Sequence, residues 1–229
     1  MRCVKIEAMR VICSALIGVL IGASAAAAGL SSGARKRIEE AGHVLDEMHA
    51  APDKGVPLDL WNKAACVVVV PSLKKAALVF GGEYGKGLMS CRHDGAWTGP
   101  VVMGVEKGSW GLQIGGQTID LVLLVMNERG MNKLLGNKVT LGAEASVAGG
   151  PVGRDARAAT DAQMKAEILS YSRTQGLFAG VNVSGGVLKP SADDTEDLYG
   201  HQVAVKEVLS GVIPPPAASQ PFMAALQRN

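Results

Sequence analysis

Aromatic residues are scarce in this chain: three each of Phe, Tyr and Trp make up 4% of 229 residues. A core of this size without many rings must be packed by Val, Leu, Ala and close backbone approach. The 48% hydrophobic content and 29 glycines supply that packing and favour closely spaced strands over a helical bundle. Histidine and cysteine are few, four of each. His43 and His49 stand six apart, on different faces of any helix, and neither H-E-x-x-H nor C-x-x-C occurs, so no metal site is expected. The glycine-dense AGGPVGRDA (148–156) lacks the Lys-Ser/Thr of a P-loop and reads as a glycine-rich strand end, with Arg154 as a contact for a lipid phosphate. GLSSG (29–33) matches G-x-S-x-G in letters alone, because no strand precedes it; Ser31 or Ser32 better caps a helix. The acidic group Asp193, Asp194, Glu196 and Asp197 lacks the spacing of a calcium loop and reads as a solvated turn. With no nucleophile and base brought together by motif, the chain is not expected to be an enzyme, and no cofactor is expected.

Net charge is also slight, +2. Much of it belongs to the first 28 residues, where Arg2, Lys5 and Arg10 precede the apolar VICSALIGVLIGASAAAA with its A-x-A endings. That pattern is the one expected of a cleavable secretory signal, cut near Ala28, and of a periplasmic or secreted product. Its apolar part gives way early to Ser and Ala, short of a membrane anchor. Cleavage would leave twenty basic and twenty acidic residues, which removes any global attraction to nucleic acid and leaves anion binding to local patches. Cys66 and Cys91 remain. Two separate buried thiols are the plainer reading, and a disulfide between adjacent strands is the alternative that an oxidising compartment permits.

Along the rest of the chain, Ile38, Ala41, Leu45 and Met48 recur at three- and four-residue steps in GARKRIEEAGHVLDEMHA (33–50), predicting an N-terminal amphipathic helix ended by Pro52. A short helix is expected from Pro57, then a buried strand CVVVV closed by Pro71. Eleven glycines break the stretch 77–116 into short apolar runs, with HDGAW and EKGSW as hairpin loops. Glycine within strands marks bends and bulges. The fold class expected is α+β: a curled, largely antiparallel, glycine-rich β-sheet or barrel-like sheet with the N-terminal helix and short packing helices. TIDLVLLVMN supplies a central strand, NERGMNKLLG a helix, KVTLGAEASVAGG a strand, and ILSYSRTQ and GLFAGVNVSGGVL two more around a turn at Gly176. The expected organisation is a signal over 1–28, a domain over 29–213 and a Pro-rich C-terminal tail over 214–229, with PPPAASQP (214–221) extended.

Arg35, Lys36 and Arg37 form the densest basic cluster after the signal, at the start of the amphipathic helix. Such a cluster suits interfacial binding to anionic lipid. Equally, it suits a solvated helix face paired to Glu39 and Glu40.

WGLQIG (110–115), GPVGR (150–154) and YSRTQGLFAG (171–180), in that order and followed by DLYG, resemble the SYLF domain, a lipid-binding family with secreted bacterial members and eukaryotic ones that act at membranes and on actin. The resemblance covers nearly the whole chain after the signal. It implies phospholipid or phosphoinositide binding without a cofactor or enzymatic activity. The basic helix occupies the region linked to membrane binding in eukaryotic members, by position and character rather than by motif. The expected partners are therefore anionic phospholipid headgroups, with Arg35, Lys36 and Arg37 supplying charge, Ile38 and Leu45 apolar anchorage, and Arg154 and Arg173 secondary contacts. Actin is not expected as the partner of an exported protein. An envelope structural or interaction role is the alternative.

Overall fold

The computed structural model describes residues 30–50, 55–77, 80–110, 115–136, 138–153, 161–174 and 177–228. The signal expected over 1–28, the turn at Gly176 and Arg154 lie outside them. Helix α1 (Ser32–Ala50) begins where the Ser31 hydroxyl accepts the Ala34 amide at 3.2 Å, an N-cap. Helix α2 (Leu58–Lys63) starts after Pro57. Strands follow at β1 (Cys66–Ala77), β2 (Phe80–His93), β3 (Ala96–Trp97), β4 (Val101–Trp110) and β5 (Gly115–Val125). After α3 (Glu128–Leu134) come β6 (Val139–Thr140), β7 (Val147–Gly149), α4 (Asp161–Lys165), β8 (Ile168–Thr174), β9 (Leu177–Gly180) and β10 (Val187–Pro190). Helices α5 (Ala192–Tyr199), α6 (Val205–Leu209) and α7 (Gln220–Leu226) complete the order.

The strands form one curled sheet in the order β6-β10-β4-β2-β1-β5-β8-β7, with β3 beside β2 and β9 beside β8. All pairings are antiparallel except β7 with β8. Both faces are covered, which explains why CVVVV carries no polar alternation. Val67 and Val69 point to a core shared with Ile38, Leu45, Trp61, Leu124 and Phe222; Cys66, Val68 and Val70 point to a second core with Leu134, Leu188 and Val208.

Pro71 does not close β1. The strand continues to Ala77 through a one-residue bulge: Val69 faces Leu88 and Lys74 faces Tyr84 on β2, while Val70 faces Leu121 and Leu73 faces Ile119 on β5. Proline, which has no amide to give a ladder, is tolerated at such a place. Ser72 takes a left-handed φ of 54°, and its amide finds Asp120 Oδ1 at 2.9 Å instead of a strand partner. Opposite the bulge, a Cβ on Gly87 would overlap the Val69 carbonyl, so glycine is what lets the two backbones approach.

HDGAW is the hairpin turn expected, with Asp94 and Gly95 both at positive φ. Other expectations are corrected by pairing. EKGSW is not a loop: β4 pairs with β2 without interruption from Val101 to Trp110, and Gly108 lies opposite Gly82. KVTLGAEASVAGG is broken into β6 and β7, because the Glu144 carboxylate accepts the Thr140 amide at 2.6 Å and closes a tight turn between them. The acidic turn is helix α5, with Asp193 and Asp194 in its first turn, where the helix dipole favours them. The tail is not extended beyond Pro216. A 3-10 turn (Ala217–Ser219) leads into α7, whose Phe222, Met223, Ala225 and Leu226 are buried against α1 and the first core.

Cys66 and Cys91 are direct partners across β1 and β2 and form a disulfide. The reading as two separate thiols gives way because antiparallel pairing sets their side chains on the same face.

Candidate functional site

The residues predicted to touch lipid divide sharply once the helix is packed. Ile38 is 2% exposed and Leu45 fully buried, both in the first core. As apolar anchors they are therefore displaced by the fold: an amphipathic stripe that seals a sheet has no face left for a bilayer while docked. Arg35 and Lys36 are exposed, and Arg37 is half-buried.

Lys36 and Arg37 line a cleft of about 320 Å³ between the first half of α1 and the bulge of β1, with Gly33, Glu40, Pro71 and Ser72. Lys74, Tyr84, Gly85 and Lys86 close its far side. The bulge is what brings them there. One extra residue after Val70 shifts the alternation of β1, so Lys74 arrives opposite Tyr84, two residues from Lys86 on the neighbouring strand.

Four cations thus face two carboxylates. Asp194, from α5, takes a hydrogen bond from Lys86 Nζ at 2.5 Å, one from the Ser191 hydroxyl, and an ion pair from Arg37 at 3.7 Å. Burial pushes the Asp194 carboxyl up, but the hydrogen bonds from Lys86 and Ser191 outweigh it and hold the group below its ordinary value. Lys86 is correspondingly raised by its hydrogen bond to Asp194. Lys36 sits 3.6 Å from Glu40, a pair whose lysine is 74% exposed and contributes little to stability. Lys74 has no ion pair among the described residues. The cleft therefore has a structural half, Arg37 and Lys86 tied to Asp194, and a solvent-facing half, Lys36 and Lys74, that keeps its charge available. With the half-exposed Tyr84 in its lining, this arrangement can receive oxyanions; among the described residues it brings together no nucleophile and general base.

Arg173 proves to be an ion-paired residue. It bonds Asp120 at 3.1 Å and pairs with Glu47 of α1, and its side chain is only 15% exposed. Since Asp120 also accepts the Ser72 amide, this carboxylate ties the bulge to β8, and Arg173 carries the link on to α1 through Glu47. Arg173 acts there as a positioning residue. Lys74, Tyr84, Lys86 and Asp120 were absent from the sequence expectation, although proline followed by two lysines within a strand-like run is a usable sign of a cationic bulge.

A curled sheet sealed by an amphipathic helix, with a small cationic cleft at its bulge, is the frame into which the comparisons with known proteins fit. A family model described as "Ysc84: Las17-binding protein actin regulator" matches residues 106–229. The chain belongs to this Ysc84/SYLF family, which is not an enzyme family. It is 35% identical over 176 residues to an SH3 domain-containing protein of Schizosaccharomyces pombe, covering 75% of this chain and 40% of that one. It is 31% identical over 179 residues to LAS seventeen-binding protein 3 of Saccharomyces cerevisiae, covering 76% and 39%. To the SH3 domain-containing YSC84-like protein 1 of Homo sapiens it is 29% identical over 171 residues, covering 74% and 50%. The matched region thus spans half or less of the length of these relatives.

Proposed function

We propose that this protein is exported and binds anionic phospholipid or phosphoinositide headgroups through the cleft at the β1 bulge. The observation that carries this reading is the convergence of Lys36, Arg37, Lys74 and Lys86 on one cleft, opposed among the described residues by Glu40 and Asp194. Basic groups near an anionic membrane contribute about 1 kcal/mol each, enough for a peripheral, salt-sensitive contact when several act together. Arg35, exposed one residue away, extends the basic face. The apolar stripe of α1 stays in the core, so charge rather than insertion makes the contact. Export is supported by the signal-like first 28 residues and by the Cys66–Cys91 bridge, which suits an oxidising compartment.

Two measurements test this reading. N-terminal sequencing of the protein recovered from a bacterial periplasm is expected to begin near Gly29; an intact Met1 in a cytoplasmic fraction contradicts export. Co-sedimentation at low salt is expected with vesicles containing phosphatidylglycerol and not with pure phosphatidylcholine; failure with both contradicts lipid binding.

The family's description as an actin regulator favours a second reading, in which the same basic face meets a protein filament. Co-sedimentation with actin filaments in the absence of lipid separates the two: pelleting with filaments and not with vesicles selects the second.

A further inference from the structure

The opposite end of α1, about 27 Å from its start at 1.5 Å per residue over 19 residues, connects through His49, Trp61 and Trp97 to a hollow of another kind. Where the β2–β3 hairpin meets α2 and α7, Arg92, Trp97, Asn62, Leu226 and Gln227 line a cavity of about 360 Å³. Arg92 lies over the Trp97 indole, its guanidinium carbon 4.1 Å from the ring centroid. Its Nε is buried without a hydrogen-bond partner, and it has no ion pair among the described residues. Elsewhere the partly buried cations Arg37, Lys86, Lys133 and Arg173 each meet a carboxylate. An unpaired guanidinium held partly out of water carries a desolvation cost that an incoming anion would relieve. Burial alone pulls Arg92 below its ordinary range, with no neighbouring charge contributing.

The group is also held in place. Arg92 donates its amide to the Ala65 carbonyl at 2.7 Å, and its neighbour Cys91 is bridged to Cys66. Trp97 rests on Trp61 at 5.4 Å between centroids, and Trp61 rests on His49 at 4.9 Å. A planar fork stacked on a fixed indole presents its edge to a ligand with little ordering left to do. Among the described residues the lining contains one cation and no carboxylate, two side-chain amides that can donate or accept, and the apolar side chains of Trp97 and Leu226.

We propose that this hollow binds a small monoanionic carboxylate ligand, the carboxylate on the Arg92 fork with Asn62 and Gln227 as amide donors, and its apolar body against Trp97 and Leu226. A single cation suits a monoanion better than a dianionic phosphate, and the guanidinium fork matches the flat carboxylate in two parallel hydrogen bonds. The site is separate from the cleft at the bulge and does not depend on lipid binding there.

The test is titration of the purified protein with N-acetylalanine, followed by tryptophan emission, since Trp97 carries the guanidinium. N-acetylalanine amide serves as the neutral control and inorganic phosphate as the dianionic one. The proposal expects a saturable change with the carboxylate only, at least tenfold weaker in Arg92→Gln, and weakened also in Asn62→Ala, whose exposed position on α2 leaves the fold intact if Arg92→Gln does not fold. No saturable response up to tens of millimolar, an equal response to the amide, or affinity unchanged in every folded variant overturns it. A tighter response to phosphate overturns the carboxylate assignment.

Discussion

The two ends of α1 belong to one helix and to one apolar stripe, yet they do opposite work. At the start, Lys36 and Arg37 look onto an open cleft whose cations come from three elements. At the end, Met48 is buried and the half-buried His49 leans on Trp61 against the first core. The difference shows that amphipathicity on its own does not separate a membrane-facing helix from one that seals a sheet. The same spacing of Ile38, Ala41, Leu45 and Met48 serves either, and the number of partners waiting on the sheet decides. Here β1, β5 and α7 supply Val67, Val69, Leu124 and Phe222, so the stripe goes into the core and the basic start stays exposed at the cleft.

The contrast can be broken most severely through the stripe. Leu45→Ala removes a fully buried side chain from the first core and is expected to cost about 2–5 kcal/mol in urea unfolding. If instead it leaves stability unchanged, α1 is not docked as described. Next in size is the bridge near the Trp61 end. Replacing both Cys66 and Cys91 with Ala, or reducing them, is expected to cost about 2–4 kcal/mol in the same assay, for a loop closed across 25 residues of sequence.

A smaller effect follows from His49. Burial lowers its pKa, outweighing the nearby Asp46 carboxylate, with Arg228 adding to the lowering. The unfolded chain therefore binds a proton more readily than the folded one. The stability this contributes is complete above the unfolded pKa of about 6.5 and is lost as pH falls below it toward the folded value. Thermal melts taken from pH 7.5 to pH 5.5 are expected to fall more steeply for the native protein than for His49→Gln; parallel slopes contradict the assignment.

How much of this was legible in the sequence depends on whether local pattern or register carries the feature. Helix α1, the Asp94–Gly95 turn and the central strand β5 follow from spacing and turn chemistry within a few residues. Pro71 misleads, since a proline that ends most strands is here accommodated by a bulge whose orphan amide is taken by Asp120, forty-eight residues away. Pro214–Pro216 likewise dominate the text ahead of α7, although Phe222, Met223 and Leu226 already carry helical spacing. At the site, Lys36 and Arg37 could be named from their run, whereas Lys74 and Lys86 join them only through strand pairing. Arg173 could be named but not assigned, because its partners Glu47 and Asp120 come from two other elements.

The central claim is that the docked helix meets membranes by charge at the bulge cleft, without lending its apolar stripe. It is tested most directly by sedimenting the protein with phosphatidylglycerol vesicles across a salt series, beside the triple variant Lys36→Gln, Lys74→Gln, Lys86→Gln. The account predicts binding that falls away between about 50 and 500 mM salt, as the screening length shrinks from above 10 Å toward 3 Å, and at least tenfold weaker binding by the triple variant at low salt. Binding that persists at high salt and survives the triple substitution would contradict it.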